Sequence, residues 1–140
     1  MSKSGLEVVK WYEEGYGVTV KFSDGHKAHF EAYAHGFGYS IEGLRGFTLF
    51  KGDQKVFHYN SRLYRVGPQD DENKVAFCAE GYTQELAASY WRAASKYFRK
   101  EYFDKEPSPE KLWWPWRVIC GEGRSDLENL EKGEAKVLAS

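Results

Sequence analysis

Apolar and polar residues alternate along Val18-Thr19-Val20-Lys21-Phe22 and again along Ala28-His29-Phe30-Glu31-Ala32. A period of two is the mark of strands with one buried face. A two-residue turn on Asp24-Gly25 would set Val20 opposite His29 and Val18 opposite Glu31, mixing apolar and charged groups. A three-residue loop instead pairs Phe22 with His26, Val20 with Ala28 and Val18 with Phe30, which keeps the apolar set together. The pattern predicts a hairpin with Gly25 left-handed in a bulge. It also predicts a wet opposite face carrying Thr19, Lys21, Lys27, His29, Glu31 and Tyr33.

Strand patterning continues through the rest of residues 6–80. Gly36, Gly38, Gly43 and Gly46 predict a loop or irregular strand carrying Phe37, Tyr39 and Ile41. Strands follow at Phe47–Lys51 and Lys55–Tyr59, and a third at Arg62–Val66 folds back on its predecessor across Asn60-Ser61. Residues 67–73 form a solvated acidic loop, and Lys74–Glu80 closes the meander. No internal repeat and no low-complexity segment stands out.

The period then changes to that of a helix. From an N-cap at Thr83, Leu86, Tyr90, Trp91, Ala94, Tyr97, Phe98 and Tyr102 recur at helical spacing as far as Asp104, and Pro107 and Pro109 stop the run. Residues 112–120 are rich in Trp, and Trp116–Cys120 reads as an edge strand or a wrap over the sheet. Ser125-Asp126-Leu127-Glu128 is a capping box opening a short helix over 125–139, with Leu127, Leu130, Val137 and Leu138 on its apolar face. The expected architecture is a single α+β domain over residues 1–140. An antiparallel sheet of about five to seven strands, a meander of hairpins, packs against one long helix at 83–104 with a short C-terminal helix beyond it.

Composition adds a bias toward binding. The chain holds 24 Phe, Tyr and Trp against 20 Leu, Ile and Val, and such cores are usually aliphatic. Surplus Tyr and Trp beside Arg suit interfaces and ligand pockets. The net charge of -1 and pI near 6.4 supply no global field toward nucleic acid or an anionic membrane. No apolar run approaches the ~20 residues of a membrane helix. With only Cys78 and Cys120 and no CxxC pair, a reduced cytoplasmic protein is expected.

Chemical motifs are sparse. His26, His29, His35 and Glu31 lack the spacing of a metal centre, so neither metal nor cofactor is expected. No nucleophile elbow, P-loop or dinucleotide fingerprint is present. Two features carry binding chemistry instead. Trp113, Trp114, Trp116 and Arg117 surround Pro115, which holds the local backbone in place and so favours an anchor for a protein partner. Arg92, Lys96 and Arg99 follow i, i+4, i+7 on the long helix with aromatic neighbours, and with Arg62 and Arg65 they match what nucleotides or single-stranded nucleic acids require.

The leading expectation is a small non-enzymatic binding protein of the inhibitor or adaptor type, as in accessory proteins of microbes and viruses, acting on a protein partner or on itself as a homodimer. One alternative is a nucleotide or single-stranded nucleic-acid module. Another is a small enzyme with a pocket between sheet and helix, where His29, Glu31 or His58 would meet a second titratable group.

Overall fold

The computed structural model describes residues 6–14, 17–34, 41–60, 74–102, 105, 119–120, 124–133 and 136–137. Seven strands lie in chain order, β1 (Val8–Glu14), β2 (Gly17–Phe22), β3 (His26–Ala34), β4 (Ile41–Lys51), β5 (Gln54–Asn60), β6 (Lys74–Cys78) and β7 (Lys136–Val137). The first six form an antiparallel meander. The β2–β3 hairpin has the three-residue-loop register, with Val18 opposite Phe30 and Val20 opposite Ala28. Gly25 has φ of +92° and its N–H donates to the Phe22 carbonyl. A side chain there would strain the backbone, so glycine sets the register.

One long helix, α1 (Gln84–Glu101), lies across one sheet face. Thr83 caps it, its side chain accepting from the Leu86 N–H at 3.0 Å. Val18, Val20, Phe22, Ala28, Phe30, Phe47, Leu49, Phe57 and Tyr59 are buried against Ala87, Ala88, Tyr90, Trp91, Ala94 and Phe98. Leu86, expected on the apolar stripe, is 38% exposed, and the small Ala87 and Ala88 face the sheet instead. Trp91 is the hub, with ring centroids 5.4 Å from Phe30 and 5.2 Å from Phe47. Many of the rings therefore build the core itself.

As the glycines lead one to expect, β4 is an irregular strand, its register on β3 shifting between Gly46 and Leu44 and between Gly43 and Ile41, while residues 35–40 lie outside the described residues. The structure departs from the sequence pattern in three places. The strand expected at 62–66 would pair with β5, but β4 and β6 occupy both edges of β5. A strand has two edges only, and residues 61–73 lie outside the described residues. At the end of the Trp-rich segment, Ile119 and Cys120 sit buried in a helical turn rather than an edge strand. The C-terminal helix α2 (Arg124–Glu131) stops early: the Gly133 N–H bonds back to the Leu130 carbonyl, and Val137 pairs in parallel with Val75 of β6. Cys78 and Cys120 are both free thiols.

Candidate functional site

Alternation sends every second strand residue to the sheet face away from α1, and no described element covers it. Cross-strand pairing arranges that face in three rows. A basic row runs Lys10, Lys21, Lys27, Phe50, Lys55. The central row runs Tyr12, Thr19, His29, Thr48, His58, Phe77, and the third runs Glu14, Gly17, Glu31, Gly46, Asn60. Neighbouring rows are about 7 Å apart along the strands. Three rings on this face each carry a lysine ammonium, with Lys21 5.8 Å from Tyr12, Lys27 5.5 Å from Phe50 and Lys55 5.6 Å from Phe77. Phe77 is 41% exposed. Lys27 also meets the wholly exposed Asp53 at 3.5 Å, a pairing worth little in water.

The central row is tightly bonded. Thr19 Oγ1 donates to Glu14 Oε1 at 2.9 Å and stands 2.9 Å from His29 Nδ1. Thr48 Oγ1 stands 2.7 Å from His58 Nδ1, and His58 Nε2 lies 2.9 Å from Asn60 Oδ1. The face expected to be wet is thus partly closed, with Thr19 only 2% exposed. Its hydroxyl satisfies neighbours on both sides, so burial leaves no polar atom unpaired.

These elements also contain a repeat that the pattern of single residues hides. Gly17, Thr19, Asp24 and His29 recur as Gly46, Thr48, Asp53 and His58 at a constant offset of 29 residues. The buried Val18, Val20, Ala28 and Phe30 correspond to the buried Phe47, Leu49, Phe57 and Tyr59. Hairpins β2–β3 and β4–β5 are two copies of one plan, each setting a Thr against a His. A glycine lies by each imidazole: a Cβ on Gly17 would fall 2.7 Å from the His29 ring, and one on Gly46 would fall 3.6 Å from the His58 ring.

Burial lowers the His29 pKa below its ordinary 6.5, against the pull of Glu31 and Glu14. Burial likewise lowers His58, aided by Lys55 and opposed by the Asn60 hydrogen bond and Glu31. Unfolding releases both rings to take up protons more readily, so stability is fully present above pH 6.5 and falls as pH drops below it. Urea midpoints should therefore decline from pH 7.5 to 5.5. An unchanged midpoint across that window would contradict the burial of these imidazoles.

A second polar cluster ties the hairpin to α1. The Tyr90 hydroxyl donates to Asp24 Oδ2 at 2.6 Å and lies 3.0 Å from His26 Nδ1, while His26 Nε2 lies 2.7 Å from the Tyr82 hydroxyl. Partial burial pushes the Asp24 carboxyl up, but hydrogen bonds from Tyr90 and the His26 N–H outweigh it and leave the pKa lowered. Burial and the neighbouring Asp24 drive the Tyr90 hydroxyl pKa well upward, so it stays a donor. This cluster borders a shallow recess of about 260 Å³ lined by Val9, Lys21, Phe22, Gly25, His26, Lys27, Gly52 and Asp53.

On the basic edge of α1 two of the three cations are engaged within the chain. Arg92 pairs with Glu131 of α2 at 2.6 Å, and Arg99 donates to the Cys120 carbonyl at 3.3 Å. Both hold the C-terminal segment onto the helix, and Lys96 stands exposed between them. Trp113, Trp114, Trp116, Arg117, Arg62 and Arg65 lie outside the described residues. The expected pocket between sheet and helix does not gather His29, Glu31 and His58. Strand parity turns all three away from α1, and aromatic rings fill the described space between the layers. Among the described residues no group of three or more His, Cys, Asp or Glu could hold a metal ion, and no helix is long and apolar enough to cross a membrane.

No family model matches the chain, and no solved structure matches it. Among curated proteins it is similar to the lysine–tRNA ligase of Pyrococcus horikoshii, with 28% identity over 106 residues covering 76% of this chain and 17% of the ligase.

Proposed function

We propose that this chain is a nucleic-acid-binding module that receives single-stranded RNA on the open face of its sheet. The observation that carries this reading is the set of three ring–lysine pairs, Tyr12–Lys21, Phe50–Lys27 and Phe77–Lys55, on one face. Bases stack on rings while cations meet phosphates, and single strands are bound by that combination. The similarity to a ligase that acts on a tRNA supports the same class of partner. A protein partner is less well served. Among the described residues the exposed large apolar side chains Val9, Phe77 and Leu86 sit singly on β1, β6 and α1, which is ordinary for a protein surface.

The test is a titration of a labelled single-stranded RNA by fluorescence anisotropy at two salt concentrations. If Lys10, Lys21, Lys27 and Lys55 each neutralise one phosphate, log K falls with log salt at a slope of about -2.8. Affinity should then drop about fiftyfold from 50 mM to 200 mM salt. Absence of binding at the lower concentration removes the reading.

A further inference from the structure

Thr19 has one hydroxyl proton, and it goes to Glu14 Oε1. Toward His29 the same oxygen can only accept, so His29 Nδ1 is the donor of that contact. A neutral imidazole carries one N–H, which leaves His29 Nε2 bare as an acceptor. In the second copy of the hairpin plan Asn60 engages the equivalent nitrogen, His58 Nε2. Its counterpart in the first copy is Glu31, which places no donor on His29, and no described residue bonds His29 Nε2. Gly17 lies against this edge of the ring, where any Cβ would come within 2.7 Å of Nε2. Three strands thus fix one tautomer, with the His29 ring in the row beside the lysines and its Nε2 lone pair at the Gly17 edge.

We propose that His29 Nε2 reads the ribose of the bound strand by accepting a hydrogen bond from its 2′-hydroxyl, making the module selective for RNA over DNA. This rests on the RNA-binding reading above. Phosphates held by Lys21 and Lys27 place the attached ribose over the central row, and the 2′-hydroxyl is the donor that DNA lacks. A base N–H donor would give no such preference, because both nucleic acids present it.

The experiment compares a uridine dodecamer, its 2′-deoxy form and its 2′-O-methyl form by anisotropy at pH 7.5 and 50 mM salt. The RNA should bind about tenfold more tightly than either analogue, the worth of one hydrogen bond made or broken. In His29→Phe, which keeps a flat ring, the three affinities should converge on that of the deoxy form. In His29→Gln, which restores an acceptor, part of the preference should return. Equal binding of the three oligomers to the unaltered protein overturns this proposal and leaves the RNA-binding reading standing. Tight binding of the 2′-O-methyl form, or an undiminished preference in a folded His29→Phe, also overturns it. If no oligomer binds, the RNA-binding reading fails and the ribose proposal with it.

Discussion

Replacing Trp91 with alanine is expected to lower the thermal midpoint by roughly 10–20 °C. The indole is fully buried and packs against both Phe30 and Phe47. Truncating a buried Trp costs about 3–5 kcal/mol, because packing disappears and a cavity is left behind. Its Nε1–H also donates to the Ile119 carbonyl at 3.1 Å, so the variant strands a buried acceptor and loosens the turn at 119–120. Single domains are stable by only about 5–15 kcal/mol, which makes this loss a large fraction of the total. For a chain of this length each kcal/mol corresponds to roughly 3–4 °C. Trp91→Phe keeps much of the ring packing but not the donor and should cost about half as much. A midpoint within about 5 °C of the unaltered protein in Trp91→Ala would mean that the sheet and α1 do not meet through this residue.

Reversing Lys21 and Lys27 together to glutamate is expected to weaken RNA binding on the order of a hundredfold at 50 mM salt. Each reversal removes an attraction and adds a repulsion, each about 1 kcal/mol at contact distance in water and less once salt screens it, so the pair comes to roughly 3 kcal/mol. The salt slope should fall to about half, because two of the four phosphate contacts are gone. Stability should change little, since the two lysines give up partly exposed cation–π pairs worth about 0.5–1 kcal/mol each, and the contact of Lys27 with the wholly exposed Asp53 is worth little in water. Lys96→Glu is the discriminating control. It sits on α1, in the opposite layer, and is exposed without holding α2 in place. Unchanged binding in Lys96→Glu together with weakened binding in the sheet variant assigns the RNA to the sheet. The reverse pattern would return it to the helix edge.

The edge of α1 shows why the site was harder to read than the fold. Arg92, Lys96 and Arg99 have a spacing that any solvated helix edge shares with a ligand-binding one. Which of the two it is depends on α2, whose Glu131 takes Arg92 from 39 positions away. The helix itself was legible, because capping by Thr83 and the periodicity of Tyr90, Trp91, Ala94 and Phe98 are local. Its C-terminal companion was legible only in part. Capping and spacing cannot foresee that Val137 would find a strand edge at Val75.

Local order of residues was enough to settle the register of β2 on β3, since only one loop length buries Val18, Val20, Ala28 and Phe30 together, and enough to place a long helix after the strands. Assembly of the sheet decided the rest. Glu14, Thr19, His29, Thr48 and His58 come from five strands, and pairing alone brings them into neighbouring rows. Proton direction along Glu14, Thr19 and His29 follows from that juxtaposition, because a hydroxyl has one proton to give. Neither the hairpin pattern nor the spacing of these three residues announces that they will share it.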